Sequence, residues 1–299
     1  MKQLLTIGIV FCLTLLLFGC GSQGSGTASY NFKQGIVELQ VNLIDGAPPE
    51  KIYPQSSFKM VLEVDNQLAY EVHDGEIFIT GLDPKYFFIE QQDNYFGPLQ
   101  GKSMLSPAGE KDFLDFSGRS GKIFSNAIEQ VNNYYVWTTY SSRVEFSDTL
   151  CINPNLYEVY DSGCKVETHK SYSGQGAPLA IAELEEIIYP PDNSRGEVEF
   201  RFRVINKGSG KVTDKVRLVK AELGGVDLSC KFQNGVEDKE TIVFNDQEQE
   251  ATLVCKAPIR GGVSYTTTMF LELSYNYKHE DLHTLRLINP DASRSAVWG

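Results

Sequence analysis

Positive charge is scarce in this chain: 27 lysines and arginines stand against 39 acidic residues, a net charge of −12. Such an excess of carboxylates repels phosphate backbones and anionic headgroups, so nucleic acid is not an expected partner. Cysteine is sparse too, six in 299 residues, and no two are spaced as the C-x2–4-C pairs of a zinc cluster. No Asn-X-Ser/Thr sequon occurs, which excludes N-glycosylation, and no serine sits in a G-x-S-x-G elbow. Ser117-Gly118-Arg119-Ser120-Gly121-Lys122 lacks the spacing of a phosphate-binding loop and reads as a hairpin turn. Helical periodicity is also missing from every window of about twelve residues. Ala177 to Ile188 comes nearest, but its continuation into Tyr189-Pro190-Pro191 fits an extended segment.

One long apolar run is present. Lys2 is followed by the uncharged stretch Leu4 to Phe18, then Gly19-Cys20. The run is shorter than the roughly 20 residues a spanning helix needs and fits a signal-peptide core. Leu16-Leu17-Phe18-Gly19-Cys20 resembles the lipobox of prokaryotic lipoproteins, with Phe18 where a smaller residue is commoner. The resemblance implies a signal peptide over 1–19, lipid on Cys20, and a place on the extracytoplasmic face of the membrane. Residues 20–30, rich in Gly and Ser, then form a flexible tether.

Beyond the tether the pattern is that of strands. Ile36 to Leu43 and Phe58 to Val64 alternate apolar and polar residues; Glu76 to Thr80 and Tyr134 to Phe146 are β-branched and aromatic. The second half repeats the first at an offset of 140 residues: Met60 over Phe200, Leu62 over Phe202, Val64 over Val204, Asn66 over Asn206, Val72 over Val212 and Asp74 over Asp214. Two weaker echoes set Phe113–Phe116 against Ile242–Asp246, and Tyr134–Phe146 against Val263–Tyr277. The expected fold is therefore all-β, two tandem immunoglobulin-like β-sandwiches over 31–170 and 179–289, each folding alone. Ser171 to Pro178 reads as a polar linker between them, and Asp291 to Gly299 as a frayed tail.

The stretch Phe200 to Val212, a strand ending in Asn206-Lys207-Gly208, resembles the CARDB type of immunoglobulin-like module found in archaeal and bacterial surface proteins. Asn66-Gln67-Leu68 is similar without the glycine. The resemblance implies a surface lipoprotein and an architecture, not an activity.

Once Cys12 and Cys20 are set aside, Cys151, Cys164, Cys230 and Cys255 remain, an even number in a chain read as exported. Three pairings are possible, and short separation favours Cys151–Cys164 and Cys230–Cys255. One string looks catalytic: His279-Glu280-Asp281-Leu282-His283 matches H-E-x-x-H, which on a helix turns both imidazoles to one zinc. Its flanks alternate as strands, so a charged hairpin tip is expected there, with no catalytic residue, metal or cofactor. His73 and His169 read as isolated surface residues, and Asp246 to Glu250 as an acidic turn. In the aromatic stretch Tyr134 to Tyr140, Trp137 is expected in the core, and the other phase either packs against the neighbouring domain or the Asp93-Asn94-Tyr95-Phe96 loop, the favoured reading, or forms a contact patch. The expected function is a lipid-anchored, non-enzymatic surface role, structural, adhesive or binding an envelope protein or glycan. The alternative is a partner- or solute-capturing lipoprotein of an export or transport complex; a zinc metalloprotease comes last.

Overall fold

The computed structural model describes residues 31–154, 163–192, 195–236, 239–260 and 263–290. Cys20, the signal peptide, the tether and the 291–299 tail lie outside the described residues. The protein is all-β, and every named element is a strand in an antiparallel sheet. The described residues from Phe32 onward form one compact unit.

Among the described residues there are three sheets. A four-stranded sheet has the order β1 (Gln40–Leu43), β2 (Ser57–Asp65), β6 (Lys111–Ser120) and β4 (Phe87–Ile89). A five-stranded sheet runs β13 (Ser229–Phe232), β15 (Glu250–Arg260), β10 (Arg195–Asn206), β9 (Leu179–Asp192) and β8 (His169–Ser171). The largest sheet runs β12 (Val226–Asp227), β11 (Lys211–Leu223), β16 (Tyr265–Ile288), β7 (Glu129–Ile152), β3 (His73–Thr80) and β5 (Asp93–Phe96), with β14 (Thr241–Val243) also on β11.

The repeat legible in the sequence is real in the register. Val41 pairs with Val64 in the first half, and Ile181 with Val204 in the second. Asn66 Oδ1 accepts from the Leu68 amide (3.1 Å) while its Nδ2 donates to the Tyr70 carbonyl (3.0 Å). Asn206 does the same with the Gly208 amide (3.0 Å) and the Gly210 carbonyl (2.8 Å). Asp74 and Asp214 both take a left-handed backbone, φ 52° and 55°. The weaker echo was misaligned: the counterpart of β6 is β15, which pairs with β10 as β6 pairs with β2, and not the Ile242–Asp246 segment.

What the sequence does not convey is how the halves meet. β7 and β16 pair antiparallel along their whole length, Glu129 with Ile288 through Ile152 with Tyr265. His73 pairs with Ser141 and Thr213 with Asn276, so the two halves are related by a local two-fold axis through the Ser141–Asn276 pair. Each long strand starts over its own half and ends over the other. Phe146 in β7 packs edge-on against Phe202 in β10, ring centroids 5.8 Å apart. At the far end of β16, the Ile288 amide donates to the Ile52 carbonyl (2.8 Å). The boundary between the two expected halves runs through a shared sheet and a continuous core, which argues against independent folding.

The expected linker is likewise part of the interior. Gly174 to Pro178 is buried, and the Gln175 amide group bonds both backbone groups of Ile181 at 2.9 and 3.0 Å. Gly35 bridges to Gln175, its counterpart one repeat later. Gly176 has φ +76°, and a Cβ there would lie 2.3 Å from the Phe32 carbonyl oxygen, so only glycine fits. A Gly/Pro-rich string looks the same in sequence whether it is solvated or threaded between two halves.

Candidate functional site: the open face of the large sheet

Alternation gives the long strands two unlike faces. Tyr134, Val136, Thr138, Tyr140, Ser142, Val144 and Phe146 of β7 are buried, as are Met269, Leu271, Leu273, Tyr275 and Tyr277 of β16. Trp137 therefore points the other way, correcting its expected place in the core. It lies on the open face with the Lys278 ammonium 3.9 Å from its ring centroid, a cation–π contact. Core seats on β7 belong to the even-numbered residues, and Trp137 is odd.

Around it the first half carries an exposed apolar patch. Phe78 stands opposite Trp137, Tyr135 opposite Leu282, and Tyr95 on the neighbouring β5. Their exposures are 39% for Phe78, 40% for Tyr135, 59% for Leu282 and 64% for Tyr95. Directly opposed residues have Cβ atoms about 5 Å apart, so these side chains form one surface. Glu76, opposite Tyr95, and Glu280, opposite Trp137, give the patch a polar border.

The two-fold-related positions in the second half differ. Where the first half has Tyr135 and Trp137, the second has Phe270 and Glu272. Lys220 covers Phe270, and Arg143 pairs with Glu272 at 3.6 Å. The same scaffold thus presents several exposed apolar side chains on one side, and a lysine-covered ring beside an ion pair on the other.

The H-E-x-x-H string lies mid-strand in β16, not on a hairpin tip. His279 and His283 share the inner face, two pleats or ~13 Å apart, while Glu280 points outward. His279 Nε2 meets Asp281 Oδ1 at 3.1 Å; His283 stacks near Tyr134, and burial pushes its pKa down. Among the described residues no group of three His, Cys, Asp or Glu side chains converges as metal ligands do. Asp246 is tied to Lys211 and Glu250 to Arg203, and His73 and His169 each face one neighbouring carboxylate. Ser117–Ser120 belongs to β6 rather than to a turn.

Cys151 is bonded to Cys164, and Cys230 to Cys255 across the directly paired strands β13 and β15. Two disulfides fit an oxidising, extracytoplasmic setting.

Near the first disulfide, Glu186 is 4% exposed and its Oε1 has no hydrogen-bond partner. Burial raises its pKa to about 7, with Lys170 opposing. The folded state therefore favours the protonated form. That stabilisation is full below pH ~4.5 and is lost as the pH rises through about 7. A shift of this size corresponds to roughly 3 kcal/mol. Glu186→Gln is expected to flatten the fall in stability over that window and to melt above wild type at pH 8. Urea titrations across the pH range check this, and parallel curves for the two proteins would refute it.

A smaller cluster went unseen in the sequence because its members come from distant segments. Glu38, just before β1, accepts hydrogen bonds from the Tyr277 hydroxyl (2.5 Å) and from the Ser209 amide and hydroxyl (both 2.9 Å). Burial opposes its ionisation, but these donors prevail and hold the carboxyl below the usual range. His279 Nδ1 lies 3.3 Å from Ser209 Oγ, which links this carboxylate to Asp281. No protein-family model matches the chain, and no curated protein does either.

Proposed function

We propose that the protein is a lipid-anchored, non-enzymatic component of the cell surface that recognises another envelope macromolecule, protein or glycan, through the open face of its large sheet. The observation that carries this reading is the exposed patch of Phe78, Tyr135, Leu282 and Tyr95 around the Lys278-covered Trp137, where the two-fold counterpart carries Phe270 under Lys220 and Glu272 paired with Arg143. Exposed aromatic clusters with a polar border are the usual centres of binding energy. Anchoring rests on the uncharged run ending in Gly19-Cys20 and on the Gly/Ser tether; two disulfides agree with export.

One experiment tests both parts. Cys20→Ser should move the protein from the membrane to the soluble fraction, and the soluble form should sediment with purified envelope fragments. Adding Phe78→Ser and Tyr135→Ser should weaken that sedimentation by about tenfold or more without lowering the melting temperature. Retention of the Cys20→Ser protein in washed membranes would refute the lipid anchor. Unchanged sedimentation of the triple variant would refute the patch.

A further inference from the structure

We infer that the open face takes a basic protein segment, whose lysine or arginine side chains rest on the exposed rings of Phe78, Tyr95 and Tyr135 beside two unpaired carboxylates. The inference rests on the reading of this face as the recognition surface and names the chemistry of its partner.

β5, β3, β7 and β16 lie side by side, so their register places every group on this face. Tyr95 pairs with Glu76, Phe78 with Trp137, and Trp137 in turn with Glu280. Glu76 thus borders Tyr95 and Phe78, while Glu280 borders Trp137 and Leu282. Strand spacing and rise set the two carboxylates about 12 Å apart. Neither side chain is hydrogen-bonded or ion-paired among the described residues. Their field reaches the rings: Glu76 first and Asp93 second push the Tyr95 pKa up, and Asp93 also holds that hydroxyl.

Ring faces are negative and attract cations, and an adjoining carboxylate adds to the attraction. The face already displays this contact once, in Lys278 over Trp137. Among the described residues no lysine or arginine covers Phe78, Tyr95 or Tyr135. Glu76, Asp93 and Glu280 against Lys278 leave the face negative, in a chain whose net charge is −12. It therefore repels phosphate and uronate and draws cations. A bare metal ion gains nothing from Phe78 and Leu282, whereas lysine and arginine lay apolar stems on them and a guanidinium stacks on rings. A neutral glycan would use the rings but not the charge. Each exposed contact is weak alone, so a partner must make several at once, as a chain with repeated basic residues does. Residues four apart on an extended segment are ~13 Å from each other, close to the spacing of Glu76 and Glu280.

The test uses the full chain with Cys20→Ser, titrated by calorimetry with a peptide of repeated Arg-Ser-Gly-Ser and with its Glu-Ser-Gly-Ser counterpart. The arginine peptide is expected to bind about tenfold tighter or more. Phe78→Ser with Tyr135→Ser, and separately Glu76→Gln with Glu280→Gln, should each weaken it about fivefold. Glu240→Gln with Glu248→Gln, a charge-matched control in the second half, should not. Equal binding of the two peptides, or an equal loss in the control, would overturn the inference. Displacement of the arginine peptide by a neutral glucan oligosaccharide would overturn it in favour of a glycan. If envelope sedimentation still depends on Phe78 and Tyr135 in either case, the recognition reading stands without the basic partner. If the arginine peptide binds through these residues while envelope fragments do not bind at all, the cation-binding face stands and the envelope reading falls. Thermal melts of each variant separate loss of binding from loss of fold.

Discussion

Expressed separately, residues 31–170 and 179–289 should not yield monomeric, cooperatively melting proteins. Cutting the chain there strips β7 of its partner from Glu129 to Ile152 and leaves a long unpaired edge, the usual template for aggregation. It also uncovers the far end of β7, where Val144, Phe146, Leu150 and Ile152 are all 2% exposed or less. Burying side chains of this size contributes ~1.5–3 kcal/mol each, so the four together supply ~6–12 kcal/mol as an upper estimate. That is comparable with the whole stability of a typical domain, about 5–15 kcal/mol. Mixing the two halves should restore a β-sheet circular dichroism spectrum and a single melt. A sharp monomeric transition in either half alone would refute the interlocked core.

The second large effect concerns the repeated turn. Asn66 is fully buried, and its side chain satisfies the Leu68 amide and the carbonyls of Tyr70 and Leu99. Asn66→Ala would orphan the Leu68 amide and the Tyr70 carbonyl at about 1–3 kcal/mol each, while the Leu99 carbonyl keeps the Val72 amide, so a loss of ~2 kcal/mol or more is expected. Asn206 makes the equivalent bonds but is only half-buried, and water can replace the lost partners there. Its alanine variant should lose ~1 kcal/mol, near the ordinary net worth of such a bond. Chemical denaturation of both variants decides the matter. Equal losses would mean that burial does not set the cost.

The pair also marks what was legible before any coordinates. Asn66 over Asn206, Asp74 over Asp214 and the apolar alternation around them located β2 and β10 and the turns that follow, because local backbone demands leave local residue choices. Alternation says which residues share a face but not which face is covered, and Trp137 went to the wrong side for that reason. Nor does it say which strand lies alongside. The same apolar phase in β7 would serve a self-contained sandwich or a sheet shared with β16. His279 and His283 read as a possible turn because the charged run from Lys278 to Asp281 breaks the apolar pattern, yet β7 pairs straight through it, Thr139 to Val136. The cluster at Glu38 left no trace in sequence, since Glu38, Ser209 and Tyr277 are distant along the chain and meet only in the fold.

The two-fold axis at Ser141 and Asn276 has a consequence for assembly. Units related in this way are ordinarily two chains, held together by mass action and separating on dilution. Here both partners belong to one polypeptide, so their association is intramolecular and independent of abundance. A protein held at sparse surface density would keep its paired architecture even as a solitary copy. Covalent linkage also frees the partners from being identical: a residue changed on one side is not imposed on the other, as Tyr135 and Trp137 and their two-fold counterparts Phe270 and Glu272 already illustrate.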